Sequence, residues 1–241
     1  MEGNVAKEDD LPHYTLRVSA RARRLQLRVT PWGEVEVVVP RNVSLARVPP
    51  FVREHRAWLR RTLAKMRALQ ISPPDSSLPE RITLAALEEE WRIDYRRGTR
   101  GSARPQAGDR VLRVAAPDEA MACAALRRWL RDYARGHLLL WLDQVSLDCG
   151  LPFARATIRS QKTRWGSCSA RGHISLNWQM IFLPAPLVRY LCVHELCHTV
   201  HLDHSRRYWA LVRRHEPRYA EHEEALRGAA RHIPYWVNVE R

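Results

Sequence analysis

The sequence predicts an α+β protein, with an N-terminal β-hairpin and helix region followed by a core in which a helix carrying an H-E-x-x-H motif packs on a mixed sheet. Three observations predict it. Alternation of apolar and polar residues marks a hairpin between residues 24 and 40. Helical periodicity takes over at Pro117. Strand-like residues from 156 to 178 then lead into "PAPLVRYLCVHELCHTVHL", an apolar helix rich in histidine.

Residues 1–12, "MEGNVAKEDDLP", are acidic and polar, and are expected to be disordered. A β-rich region with one amphipathic helix is expected over 13–117. In "RLQLRVTPWGEVEVVVP", Leu25, Leu27 and Val29 share one face, "TPWG" turns the chain, and Val35, Val37 and Val39 share the opposing face. The run "FVREHRAWLRRTLAKMRALQ" sets Val52, Leu59, Leu63 and Met66 near helical spacing among arginines. Its apolar stripe is needed to cover the hairpin, so packing is expected rather than membrane binding. "ISPPDSSLP", 71–79, reads as a linker. Residues 81–114 read as further strands, interrupted by the polar loop "RRGTRGSARPQAGD".

A catalytic core is expected over 118–229 and a tail over 230–241. The long helical stretch carries Leu126, Trp129, Leu130 and Tyr133 on a stripe and closes at Gly150, with Gly136 a point of division into two helices. "ATIRSQKTRWGSCSARGHISLNW" reads as two strands joined by a turn at Arg171 and Gly172. The histidine-rich helix follows, and Ser205 is the expected N-cap of a last helix.

Composition narrows the function. No run approaches the roughly 18 apolar residues of a membrane span, and the N-terminus lacks the basic then apolar pattern of a secretory signal, so a cytoplasmic protein is expected. Five cysteines without a C-x-x-C pair indicate free thiols, not a disulfide framework or zinc ribbon. The net charge of +14 invites anionic partners. Of the 40 basic residues only Lys7, Lys65 and Lys162 are lysines, and the arginines are spread along the chain without a dominant cluster, so contact with DNA is possible but not favoured.

"VHELCHTVHLDHS", 193–205, carries the chemistry. Histidines four apart share a helix face about 6 Å apart along the axis, so His194 and His198 can bind one Zn2+. Glu195 then stands beside the metal, where it can take a proton from an activated water and pass it to a leaving group. A catalytic zinc takes three protein ligands. On a continuing helix His201 would lie about 10.5 Å beyond His194, and three ligands in line cannot converge. His204, in the break before Ser205, can fold back and is assigned as the third ligand, with His201 the alternative. The spacing equals that of the metzincins, but His201 replaces their glycine and no methionine follows residue 204, which argues against that fold.

"RSQKTRWGSCSARGHISLNW" and "VRYLCVHELCHTVHLDHSRRYWALVRRHEPRY" closely resemble the YgjP-like zinc metallopeptidases, a family related to the WLM and SprT-like groups. The resemblance implies a gluzincin-like core, zinc ligands at His194, His198 and His204, and a catalytic acid/base at Glu195. The chain departs from the family pattern at Asp203, commonly Asn, and at Glu216, frequently Cys.

"TRWGSC" admits two readings. If it borders the cleft, Arg164 and Trp165 bind substrate, Arg164 gripping a carboxylate or phosphate bidentately while the strand pairs with an extended peptide. Otherwise Trp165 is core and Arg164 is tied to an acid. Tyr190, Tyr208 and Trp209 are expected mainly as packing residues. A peptide or protein is the expected substrate of a zinc metallopeptidase, with a nucleotide phosphoanhydride or a DNA-associated, SprT-like role as alternatives. SprT-like proteins usually add a zinc ribbon, and the tail "GAARHIPYWVNVER" has no cysteine.

Overall fold

A computed structural model describes residues 12–29, 33–68, 78–161 and 164–238. Residues 1–11 of the expected disordered N-terminus, the hairpin turn at 30–32 and most of the 71–79 linker lie outside the described residues. The chain separates into two compact units, 1–75 and 76–241.

In the first unit, strands β1 (Tyr14–Ser19), β2 (Gln26–Val29) and β3 (Val35–Pro40) form a sheet in the order β1-β3-β2. The expected hairpin is β2 against β3, with Leu27 opposite Val37. Strand β1 was not foreseen, and it runs parallel to β3. Tyr14, Leu16 and Val18 alternate with Thr15, Arg17 and Ser19 as a strand requires; Tyr14 packs on the core of this unit, while Leu16 and Val18 are 48% and 59% exposed. The amphipathic stretch forms two helices, α1 (Val48–Glu54) and α2 (Arg56–Ala68), separated at His55. Val48, Val52 and Leu59 close over Val35, Val37 and Val39, as the apolar stripe requires.

The second unit contains two sheets. Strands β4 (Arg81–Leu84), β5 (Glu89–Arg97), β6 (Ser102–Pro105) and β7 (Val111–Ala116) lie in the order β4-β5-β7-β6, with β5 and β7 parallel. Strand β6 falls inside the segment read as a polar loop. It is an edge strand with half its residues exposed, so its composition carries no burial signal.

Helix α3 (Glu119–Cys149) runs unbroken through Gly136, correcting the expected division. One internal glycine costs about 1 kcal/mol, and Ala134 and Leu138 on either side are fully buried, which outweighs it. Asp118 caps the start by accepting from the Met121 amide, and Gly150, at φ 63°, supplies the left-handed end.

The second sheet holds β8 (Arg155–Arg159), β9 (Gly166–Cys168) and β10 (His173–Asn177) in the order β8-β10-β9. Strands β9 and β10 form the hairpin expected around Arg171 and Gly172, while β8 adds a parallel partner. Helix α4 (Ala185–Cys197) follows, then α5 (Arg206–His215) and α6 (Tyr219–Leu226). α3 packs against β6, β7, β8 and α4, and a single buried cluster links them. The strands over 81–116 share that cluster, whereas the sequence reading grouped them with the N-terminal hairpin. None of the five cysteines is in a disulfide. Among the described residues no helix is long and apolar enough to cross a membrane.

Candidate metal centre

Helix α4 is buried on nearly every side, through Leu187, Val188, Tyr190, Leu191, Val193, Leu196 and Cys197. It therefore fixes whatever its last turn carries. His194 lies inside the helix and His198 is its C-cap, and their rings stand 5.1 Å apart. Beyond His198 the chain turns back. The amides of Val200 and His201 donate to the Cys197 carbonyl, the Thr199 hydroxyl donates to the Leu196 carbonyl, and Ser205 caps α5 by accepting from the Tyr208 amide.

This return brings the His204 ring to 5.3 Å from His194 and 4.7 Å from His198. The ligand atoms of His194, His198 and His204 all lie within 4.8 Å of one another, the one such cluster among the described residues. His201 is outside it. Instead its main-chain carbonyl accepts from Nδ1 of His198 at 2.9 Å.

That bond sets the chemistry of His198: a carbonyl only accepts, so Nδ1 carries the hydrogen and Nε2 keeps its lone pair. Nε2 of His194 faces Nε2 of His204 at 3.4 Å. Burial, reinforced by the neighbouring His198 and His204, pushes His194 down to about 3. Burial also lowers His198. Both are thus neutral imidazoles, the form that ligates metal. Tyr208 of α5 stacks on His198 with ring centres 4.4 Å apart, and its hydroxyl donates to the His194 carbonyl at 3.1 Å.

Glu195, the residue after His194 on α4, lies against Gly166 of β9 and is 4% exposed. Its Oε2 has no hydrogen-bond partner among the described residues. Burial pushes its carboxyl up to about 8, against the opposing pull of the Arg164 charge. An unpartnered buried carboxyl costs about 1–3 kcal/mol or more. Strand β9 comes close enough to reach it only because residue 166 is glycine. A Cβ there would stand 2.7 Å from Cγ and 2.8 Å from Cδ of Glu195.

The two readings of "TRWGSC" divide between its residues. Arg164 is exposed and its charge reaches Glu195, whereas Trp165 packs against the core cluster. Asn177, almost fully buried, ties the segment down by donating to the carbonyls of Gln161 at 2.8 Å and Arg164 at 3.1 Å. Three contributors escaped the sequence reading. Asn177 ends a strand without distinguishing spacing, Tyr208 read as packing, and Glu223 sits in the charged run "EHEEAL". Each acts through contacts more than a dozen residues away, which leave no local pattern.

The donor set fits a zinc ion. Nitrogens at roughly 2.0–2.1 Å from a tetrahedral zinc stand roughly 3.4 Å apart, which is the His194–His204 separation. Three imidazoles leave a fourth position open.

Over 37% of its length the chain is similar to the crystallised metallopeptidase zymogen of Pyrococcus abyssi abylysin, at 24% identity and a TM-score of 0.34, covering 90% of that chain. Over the same share it is similar to the zymogen of Methanocaldococcus jannaschii jannalysin, at 17% identity and a TM-score of 0.33, covering 92% of that chain. Among curated proteins none matches. The family model described as the YgjP-like metallopeptidase domain matches residues 23–229, and the chain belongs to that YgjP-like family.

Proposed function

We propose that the chain is a zinc-dependent metallopeptidase in which His194, His198 and His204 hold the ion and Glu195 is the general base and acid. One observation carries this reading: three imidazole nitrogens converge at the end of α4, and the residue after the first of them is a buried carboxyl with a free oxygen. When bound, zinc supplies Lewis-acid polarisation of a carbonyl and acidification of water.

The protein's own groups do the rest. Glu195 takes the proton of the attacking water at its free oxygen and returns it to the leaving amine. Arg164, exposed beside that carboxyl, attracts an anionic group of the substrate. Strand β9 pairs with β10 on one side only among the described residues, so its other edge offers main-chain donors and acceptors to an extended peptide. Gly166 keeps that edge against Glu195. A nucleotide phosphoanhydride is the alternative substrate, supported only by the arginine excess.

Metal content by mass spectrometry tests the ligand set. About one zinc per chain is expected, lost in His204→Ala and kept in His201→Ala. A peptide and nucleotide panel then tests the reaction. Glu195→Gln should keep its zinc and lose hydrolysis by roughly 10²–10⁴-fold. Absence of zinc after reconstitution of the wild-type chain would overturn the reading.

A further inference from the structure

We propose that Tyr190 and Glu223 form a hydrogen-bonded chain that fixes the tautomer and orientation of His194, and so sets the metal affinity of the centre. The proposal rests on the ligand reading above.

Tyr190 stands one turn before His194 on α4 and is fully buried. Its ring is ordinary core. Its hydroxyl is not, because a buried phenol oxygen must find partners. It donates to Oε1 of Glu223 on α6, and the same oxygen lies 3.4 Å from Nδ1 of His194.

A phenol has one proton. With that proton given to Glu223, only lone pairs remain to face His194, so Nδ1 of His194 must carry the hydrogen. Nε2 is then left with its lone pair, and Nε2 is the atom facing His204. His198 reaches the same state by another route, through the His201 carbonyl. Both helix histidines are therefore held from behind, one by the main chain and the other by a tyrosine and a carboxylate from a separate helix. Such outer partners orient a ligating ring and raise its basicity.

The chain also gives α6 a function. Glu223 is 33 residues from Tyr190, and its neighbour His222 packs its ring 5.5 Å from the tyrosine while lying 3.4 Å from Glu216. Helix α6 thus holds Glu223 in place from both the tyrosine and the Glu216 side.

The test is zinc affinity by chelator competition in wild type, Tyr190→Phe, Glu223→Ala and the double variant, with melting of the metal-free proteins alongside. Each single substitution should weaken zinc binding about 10–100-fold, and the double variant should lose no more than the worse single one, because both act through one path. Glu223→Gln, which still accepts the phenol proton, should restore most of the affinity. Nitrogen-15 shifts of the metal-free protein should report His194 as the Nδ1–H tautomer in wild type and as a mixture in Tyr190→Phe, a change that loss of packing alone does not produce. Unchanged zinc affinity in the single variants, or additive losses with an unchanged tautomer, would overturn the proposal. A wild-type chain that takes up no zinc would overturn the ligand assignment beneath it, a separate and distinguishable failure.

Discussion

At the residue scale, the centre divides into what spacing announces and what only the fold assembles. His194, Glu195 and His198 are legible because four residues make about one helical turn. His204 was legible from the break before Ser205, which removes the geometric objection that His201 meets on a continuing helix. The closeness of Gly166 to Glu195 is different. The sequence marks Gly166 as a point of close approach, but its partner is 29 positions away and nothing local names it. Gly166→Ala should therefore do two things: destabilise the protein by about 1–3 kcal/mol through overpacking, and displace the Glu195 carboxyl, which on the proposed mechanism lowers peptide hydrolysis. Thermal melting and peptide hydrolysis measure both. Unchanged values would mean that the Glu195 side chain yields freely and that the strand does not fix it.

At the element scale, burial decides what could be read. The β2–β3 hairpin alternates because one face is buried, whereas β6 is half exposed and carries no such pattern; β1 does alternate, Tyr14, Leu16 and Val18 against Thr15, Arg17 and Ser19, and it went unread beside the stronger hairpin. Helix α3 was read correctly at both ends and wrongly at Gly136. Apart from the helix's own adjacent backbone, no atom of the described residues lies within 4 Å of where a side chain at 136 would begin. Gly136→Ala should accordingly stabilise the protein by about 0.5–1 kcal/mol in denaturant melting. The same helix presses Tyr133 against the first sheet, where its hydroxyl donates to Glu89 at 2.8 Å. Burial, then this bond and the Glu89 charge, push the phenol up to about 12 from an ordinary 10. The folded pKa is raised, so the contribution of Tyr133 is complete below pH 10 and fades as pH climbs through about 12. The stability advantage of wild type over Tyr133→Phe should shrink across that window, and pH-dependent denaturant melts would measure it.

At the scale of the whole molecule, every residue of the centre belongs to the unit spanning 76–241, which has its own buried cluster. A fragment covering 76–241 should fold and retain zinc at the stoichiometry of the full chain, as circular dichroism and metal analysis would show; a fragment that folds but takes up no zinc would place a necessary part of the centre in the first 75 residues. Within this unit α3 matters beyond its own packing. It touches strands of both sheets as well as α4, and its fully buried positions run from Leu126 to Leu142. Neither sheet can shed its cover without exposing the other's. Amide hydrogen exchange at the opening of the unit should thus report one free energy for Leu112 and Val114 in the first sheet and for Ile174 and Leu176 in the second. The strand that borders the Glu195 carboxyl shares the lifetime of strands far from it in the other sheet, and a proline placed at Ala134 would shorten both together.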